Sequence, residues 1–207
     1  MHDLFLQNLI KAFIAIDPIS LIPVFAVLTA GYSFSKIIKL SIFVFVITST
    51  VLTFFSIFGN NFLIFMGISI SSFQIVGGLF LLFISFEMVF EKRLKRKENL
   101  ASKIIDNDDA DELAVFPISI PLVAGPSAIT LSILISKDIE LNIITFNQQI
   151  LPIILILFLT SLILLLSHLV VNFFNKALIM ILQKIFGILL GALSVQYIIN
   201  GFTESLV

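Results

Sequence analysis

Six stretches of this chain are long and apolar enough to cross a lipid bilayer: 4–28, 40–58, 73–90, 113–135, 151–171 and 178–202. A spanning helix needs about 20 mostly apolar residues. In hydrocarbon every backbone N–H and C=O must find its partner inside the protein, so segments of this length have to be helices. A mean hydropathy of +1.17 and 59% hydrophobic residues exclude an ordinary soluble domain. The spans take up more than half of the 207 residues, which leaves short connections and one transmembrane domain over 1–207. The expected class is an all-α membrane protein with a lipid bilayer as its main surroundings.

The spans carry an internal repeat. Asp17-Pro18 interrupts the first, and Gly125-Pro126 interrupts the fourth, 108 residues later. Gln74, Gly78 and Ser85 recur as Gln183, Gly187 and Ser194, 109 residues later, with Glu87 matched by Gln196. Two unrelated landmarks at nearly one offset argue for a duplicated unit. Three spans per unit make the second enter the membrane from the opposite side. The expectation is two inverted three-helix repeats, about 1–91 and about 113–207, with helices 1 and 4 broken and a charged cytoplasmic loop at 92–112.

Charge placement sets the orientation. The loop opens basic, with Lys92, Arg93, Lys95, Arg96, Lys97 and Lys103, and closes acidic, with Asp106, Asp108, Asp109, Asp111 and Glu112. Lys and Arg in short loops mark the cytoplasmic side. Alternation then puts Lys36, Lys39, Lys176 and Lys184 there too, ten of the twelve basic residues in all, and both termini outside, in the periplasm of a bacterial inner membrane. The loop itself reads as a solvated tether. Its acidic half lacks the Gly and distant Glu of a calcium loop. His2 and Asp3 replace the basic start of a cleavable signal, so the first span is expected to stay. Gly59-Asn60-Asn61 reads as a loop, followed by residues 62–66, too few to span, as a re-entrant or interfacial piece within 62–72.

The candidate site lies at the breaks. A charge inside a span costs about 3 kcal/mol or more, so Asp17 must face protein or water. Pro18 removes a backbone donor and disfavours helix at Asp17. With Pro23 it predicts an unwound stretch over residues 17–23, where Ser20 satisfies one freed group. The second half repeats this with Pro117, Pro121, Gly125-Pro126, Ser127 and Thr130. A half-helix starting near Ser127 offers free N–H groups and a positive dipole end, suited to a carboxylate. Asp17 suits an ammonium or a coupling proton or sodium ion. Matching breaks in inverted repeats point to a transporter's binding site. The expected substrate-binding residues are therefore Asp17, Pro18, Ser20, Pro23, Pro121, Gly125, Pro126 and Ser127, with Glu87 and Gln196 as polar or ion-coupling candidates. Gln74, Gln183, Ser85 and Ser194 read as interhelical hydrogen-bond partners, and Gly77-Gly78 and Gly187 with Gly191 as close-packing faces.

Other chemistry is poorly supplied. Cysteine is absent and there are two histidines, so no metal cluster is expected. There is no P-loop. Gly125-Pro126-Ser127 with His168 on another span evokes an intramembrane serine protease, but nothing places a base or an oxyanion hole. Hence no enzyme, no cofactor, no metal and no nucleic-acid partner are expected. A channel would need a continuous polar lining, which the spans do not offer. A non-transporting membrane scaffold is the other alternative.

Asp17-Pro18-Ile19-Ser20-Leu21-Ile22-Pro23-Val24-Phe25 and Pro117-Ile118-Ser119-Ile120-Pro121-Leu122-Val123-Ala124-Gly125-Pro126-Ser127-Ala128-Ile129 resemble the two Pro motifs of the MarC family of six-span membrane proteins. The piece from Gly67-Ile68-Ser69 through Gly77-Gly78 to Glu87-Met88 also fits, so the resemblance covers nearly the whole chain. The chain departs from the family at Ser20 and Ser127, where Gly is common, at Leu21, often Asn, and at Gln74, often basic. The resemblance implies a relative of LysE-type amino-acid exporters and a role in moving a small metabolite, with small neutral amino acids the first candidates.

Overall fold

The computed structural model describes residues 2–102, 114–136, 142–171, 173 and 175–206. Ten elements follow: α1 (His2–Ile16), α2 (Pro18–Leu28), α3 (Phe34–Phe65), α4 (Ile70–Val89), α5 (Lys92–Ser102), α6 (Ala114–Val123), α7 (Pro126–Ile135), α8 (Ile143–Leu165), α9 (Ser167–Val170) and α10 (Lys176–Ser205). No strand occurs among the described residues. Four helices, α3, α4, α8 and α10, are each long and apolar enough to span. The pairs α1–α2 and α6–α7 pass the same test together, bent by 42° and 57°, and bring the number to six where each pair crosses as one broken span.

The helices pack in two groups. One core gathers Ile16, Leu21, Phe25, Leu40, Leu52, Ile118 and Leu157; the other gathers Ala15, Leu81, Met88, Leu131, Leu190 and Tyr197. The α1–α2 pair contributes to both cores and joins them. Large apolar side chains such as Phe43, Phe54, Phe80, Phe83, Ile188 and Leu189 remain exposed, as lipid-facing positions require. Hydroxyls inside the helices bond back to their own carbonyls, as Ser41 does to Ile37, Thr48 to Val44 and Thr160 to Ile156.

α4 and α10 pack against each other antiparallel, and glycines set their distance. A Cβ at Gly78 would sit 2.6 Å from Ile198 and 2.8 Å from the Ser194 carbonyl. A Cβ at Gly187 would sit 2.9 Å from Val89 and 3.1 Å from the Ser85 carbonyl. Each contact maps onto the other by the 109-residue offset: Gly78 to Gly187, Ser85 to Ser194, Val89 to Ile198.

Three expectations need correction. The Gly59-Asn60-Asn61 run is not a loop, because α3 continues through it to Phe65. Gly59 is there for packing: a Cβ would lie 2.6 Å from Ile133. Residues 62–65 are thus the end of a spanning helix rather than a re-entrant piece, and the turn comes at Gly67, where φ is +74°. The first break is narrower than residues 17–23. Asp17 alone leaves the helical conformation, and α2 resumes at Pro18, because a proline in the first helical position has no intrahelical donor to lose. The charged segment is no solvated tether over residues 92–102. It folds as α5, and Arg93 and Lys97 are 4% and 6% exposed. Residues 103–112, which hold Lys103 and the acidic half, lie outside the described residues.

Candidate functional site

Asp17 is 1% exposed, with left-handed backbone angles (φ 57°, ψ 62°). Asp tolerates this region better than most residues. The kink leaves the last carbonyls of α1 without intrahelical partners. One of them, Ala15 C=O, accepts hydrogen bonds from Ser127 Oγ at 2.8 Å and Arg93 Nη2 at 2.9 Å. Ser127 is the second residue of α7, just past the other break. The two breaks therefore meet: the first supplies a bare carbonyl and the second the hydroxyl that satisfies it. Ser20 Oγ donates to the Asp17 carbonyl at 3.0 Å, as its place in the first turn of α2 suggests.

The Asp17 carboxylate is held by two cations from α5. Its Oδ2 lies 3.5 Å from Arg93 Nε and 3.7 Å from Lys97 Nζ. Lys97 Nζ also donates to Ser20 Oγ at 2.7 Å, and Arg93 Nη2 donates to Ser127 Oγ at 3.3 Å. From α10, Gln183 Nε2 reaches Asp17 Oδ2 at 3.4 Å. Among the described residues, Asp17 Oδ1, Arg93 Nε and Gln183 Oε1 have no hydrogen-bond partner. Burial pushes Lys97 down to about 7, outweighing the pull of Asp17, and Arg93 and Arg96 add to the lowering. Burial lowers Arg93 as well.

The turn between α4 and α5 makes this contact. Glu91 adopts a positive φ of 61° there. Asp17 and Glu91 are the two non-glycine residues with positive φ among the described residues. One is the buried acid; the other is the corner that folds α5 back onto it. Such conformations persist where the surroundings enforce them. Surface pairs hold α5 in place: Glu91–Lys184 at 2.7 Å, Glu98–Lys176 at 3.7 Å and Glu87–Arg96 at 2.9 Å.

A cavity of about 600 Å³ opens beside the cluster, between α5 and the second break. Lys92, Arg93, Lys95, Arg96 and Lys97 line one side; Pro121, Gly125, Pro126 and Ser127 line the other. Gly125 caps the start of α7 with extended backbone and no side-chain cap. A Cβ there would lie 2.7 Å from the Pro121 carbonyl, so only glycine allows the chain to close this corner.

The expected residues are thus sorted. Asp17, Pro18 and Ser20 fall at the first break, and Pro121, Gly125, Pro126 and Ser127 at the second and along the cavity. Pro23 sits inside α2. Glu87 turns to Arg96, and Gln196 is exposed on the outer face of α10, bonded to Asn200 at 2.8 Å, so neither joins the cluster. Arg93, Lys97 and Gln183 were not expected at the site. The signal for the first two is a buried acid without a counter-ion, together with two cations four residues apart, on one helical face.

Fold and cluster together define a multi-pass helical membrane protein with a buried ionic centre where two broken helices meet. The chain belongs to the MarC family: the pattern described as "MarC family integral membrane protein" matches residues 2–206. Two UPF0056 membrane proteins of Methanocaldococcus jannaschii are similar, one 35% identical over 97% of this chain and 98% of its own, the other 32% identical over 96% and 86%. A UPF0056 membrane protein of Buchnera aphidicola is 32% identical over 90% of this chain and 86% of its own. No solved structure matches the chain.

Proposed function

We propose that this protein is a secondary transporter of a small metabolite, with small neutral amino acids as first candidates, built from two inverted three-span repeats. One observation carries the reading. Two interrupted helices, far apart in sequence, meet through Ser127 and Ala15 around a buried acid and beside a cavity. Irregular backbone at membrane depth is tolerated where it is buried in protein or lines a cavity, and transporters bind their cargo at such places. The reciprocal glycine contacts of α4 and α10, antiparallel and related by the 109-residue offset, support the inverted repeat. The basic residues of α5 and its partners Lys176 and Lys184 gather at one end. This supports a cytoplasmic α5 and both termini outside, and the similarity to the Buchnera aphidicola protein is consistent with residence in the inner membrane of a bacterium. A proton or sodium gradient drives the cargo, which moves chemically unchanged.

The test is uptake of labelled alanine, glycine and serine into liposomes carrying the purified protein, under an imposed proton or sodium gradient. Saturable uptake is expected for at least one of them. Flux that never saturates would favour a channel, and no uptake under either gradient would reject the amino-acid reading.

A further inference from the structure

Among the described residues, the lining of the cavity beside α5 holds five Lys or Arg residues and no acidic residue. Asp17 is not in that lining; Arg93 and Lys97 touch it on one side and the cavity on the other. An incoming ammonium would thus meet cations, and the acid that would welcome it is already occupied.

Among the described residues the charges do not cancel. Arg96 is matched by Glu87, but Arg93 and Lys97 share one carboxylate. Arg93 is 4% exposed and still under-used. Among the described residues its Nε, 3.5 Å from Asp17 Oδ2, makes no hydrogen bond, and Nη1 meets only the Met88 sulfur at 3.7 Å. A buried guanidinium with open donors is costly unless an acceptor arrives. Facing it, the start of α7 is uncapped and contributes its positive dipole end. Three independent sources of positive potential converge on one volume: a guanidinium, an ammonium and a helix N-terminus.

We propose that this cavity is a carboxylate seat: it binds small monocarboxylate solutes through Arg93, Lys97 and the first turn of α7, and does not require an α-ammonium on the ligand. This deepens the transporter reading by naming the group the site recognises. It makes short-chain carboxylic acids ligands on the same footing as amino acids. About 600 Å³ accommodates either.

The test is calorimetric titration of the purified protein in phosphatidylcholine nanodiscs with propionate, alanine, alanine amide and ethylamine. Propionate and alanine should bind with affinities within a few-fold of each other, and the two amines without a carboxylate should give no heat of binding. Alanine amide binding as well as alanine, or propionate failing to bind, overturns the proposal. Lys97→Gln leaves Arg93 paired with Asp17 as a neutral unit and should weaken propionate roughly tenfold or more, the usual share of one charge-assisted hydrogen bond. A folded Lys97→Gln protein, checked by circular dichroism, that binds propionate as the wild type does also overturns it. The comparison of alanine with its amide needs no variant.

The alternative source of an oxyanion is a lipid headgroup. In discs enriched in phosphatidylglycerol, unchanged propionate binding supports the proposal. Abolished propionate binding there, with phosphatidylglycerol itself raising the melting temperature, gives the cavity to lipid phosphate and overturns it. Carboxylate binding without any liposome uptake would remove the transporter reading and leave the seat standing.

Discussion

Replacing Asp17 with Asn removes the one carboxylate that Arg93 and Lys97 share. At 3.5 and 3.7 Å, each pair carries about 4–5 kcal/mol of attraction at an effective dielectric near 20. Part of this offsets the cost of burying three charges. Taking away one partner of a buried pair typically costs about 3–5 kcal/mol, because the other charge stays buried alone. The loss should depend on pH through Lys97, which titrates at about 7 in the wild type. The charged groups facing it are Asp17 from the first break and Arg93 and Arg96 from its own helix. Without Asp17 only repulsion and burial remain, so Lys97 stays neutral to lower pH. At pH 9 it is neutral in both proteins, and only Arg93 is stranded. At pH 6 the wild type gains the Lys97–Asp17 pair and the variant does not, which adds about 1 kcal/mol to the difference. Equilibrium unfolding in mixed detergent–dodecyl sulfate micelles, followed by far-ultraviolet circular dichroism at both pH values, measures this. Adding Lys97→Met to Asp17→Asn should recover the pH 6 increment. A loss under about 1 kcal/mol, or one no larger at pH 6 than at pH 9, would refute the reasoning.

Three smaller predictions use the same assay. Gly125→Ala pushes a methyl to 2.7 Å from the Pro121 carbonyl and should cost about 1–3 kcal/mol, as overpacking does, because backbone cannot step aside. Gly187→Ala meets Val89, Met88 and the Ser85 carbonyl within 3.1 Å, so α4 and α10 must part, with a similar loss; an unchanged melting temperature would count against the close helix contact. Arg96→Gln removes a pair whose arginine is 53% exposed and should shift stability by less than about 1 kcal/mol, in contrast to the buried cations of the same helix.

The breaks were legible because proline and a charge inside an apolar run have few explanations. Asp17, Ser20, Gly125 and Ser127 all stand out on that ground, and the structure brings them together. The glycine matches at a constant offset were legible for a similar reason, since close helix packing leaves few substitutes. Arg93 and Lys97 were hidden by composition. A basic run just beyond a span ordinarily faces water, and only the missing counter-ion for Asp17 argued otherwise. Gly59-Asn60-Asn61 misled because glycine and asparagine favour turns in water, whereas here Gly59 answers to Ile133 on a neighbouring helix. Glu87 and Gln196 misled because repeat position says nothing about which face a side chain takes. Local chemistry is written in local sequence; which distant charge completes it is decided by tertiary packing.

The chain has no cysteine, so a single Asn99→Cys places one thiol in the cavity wall on α5. Its rate of labelling by a water-soluble thiol reagent, with and without solutes, tests most directly whether the cavity between α5 and the second break is where cargo binds. The account predicts that alanine and propionate slow the labelling in a saturable way and that alanine amide does not. Labelling at the same rate with every solute would contradict it.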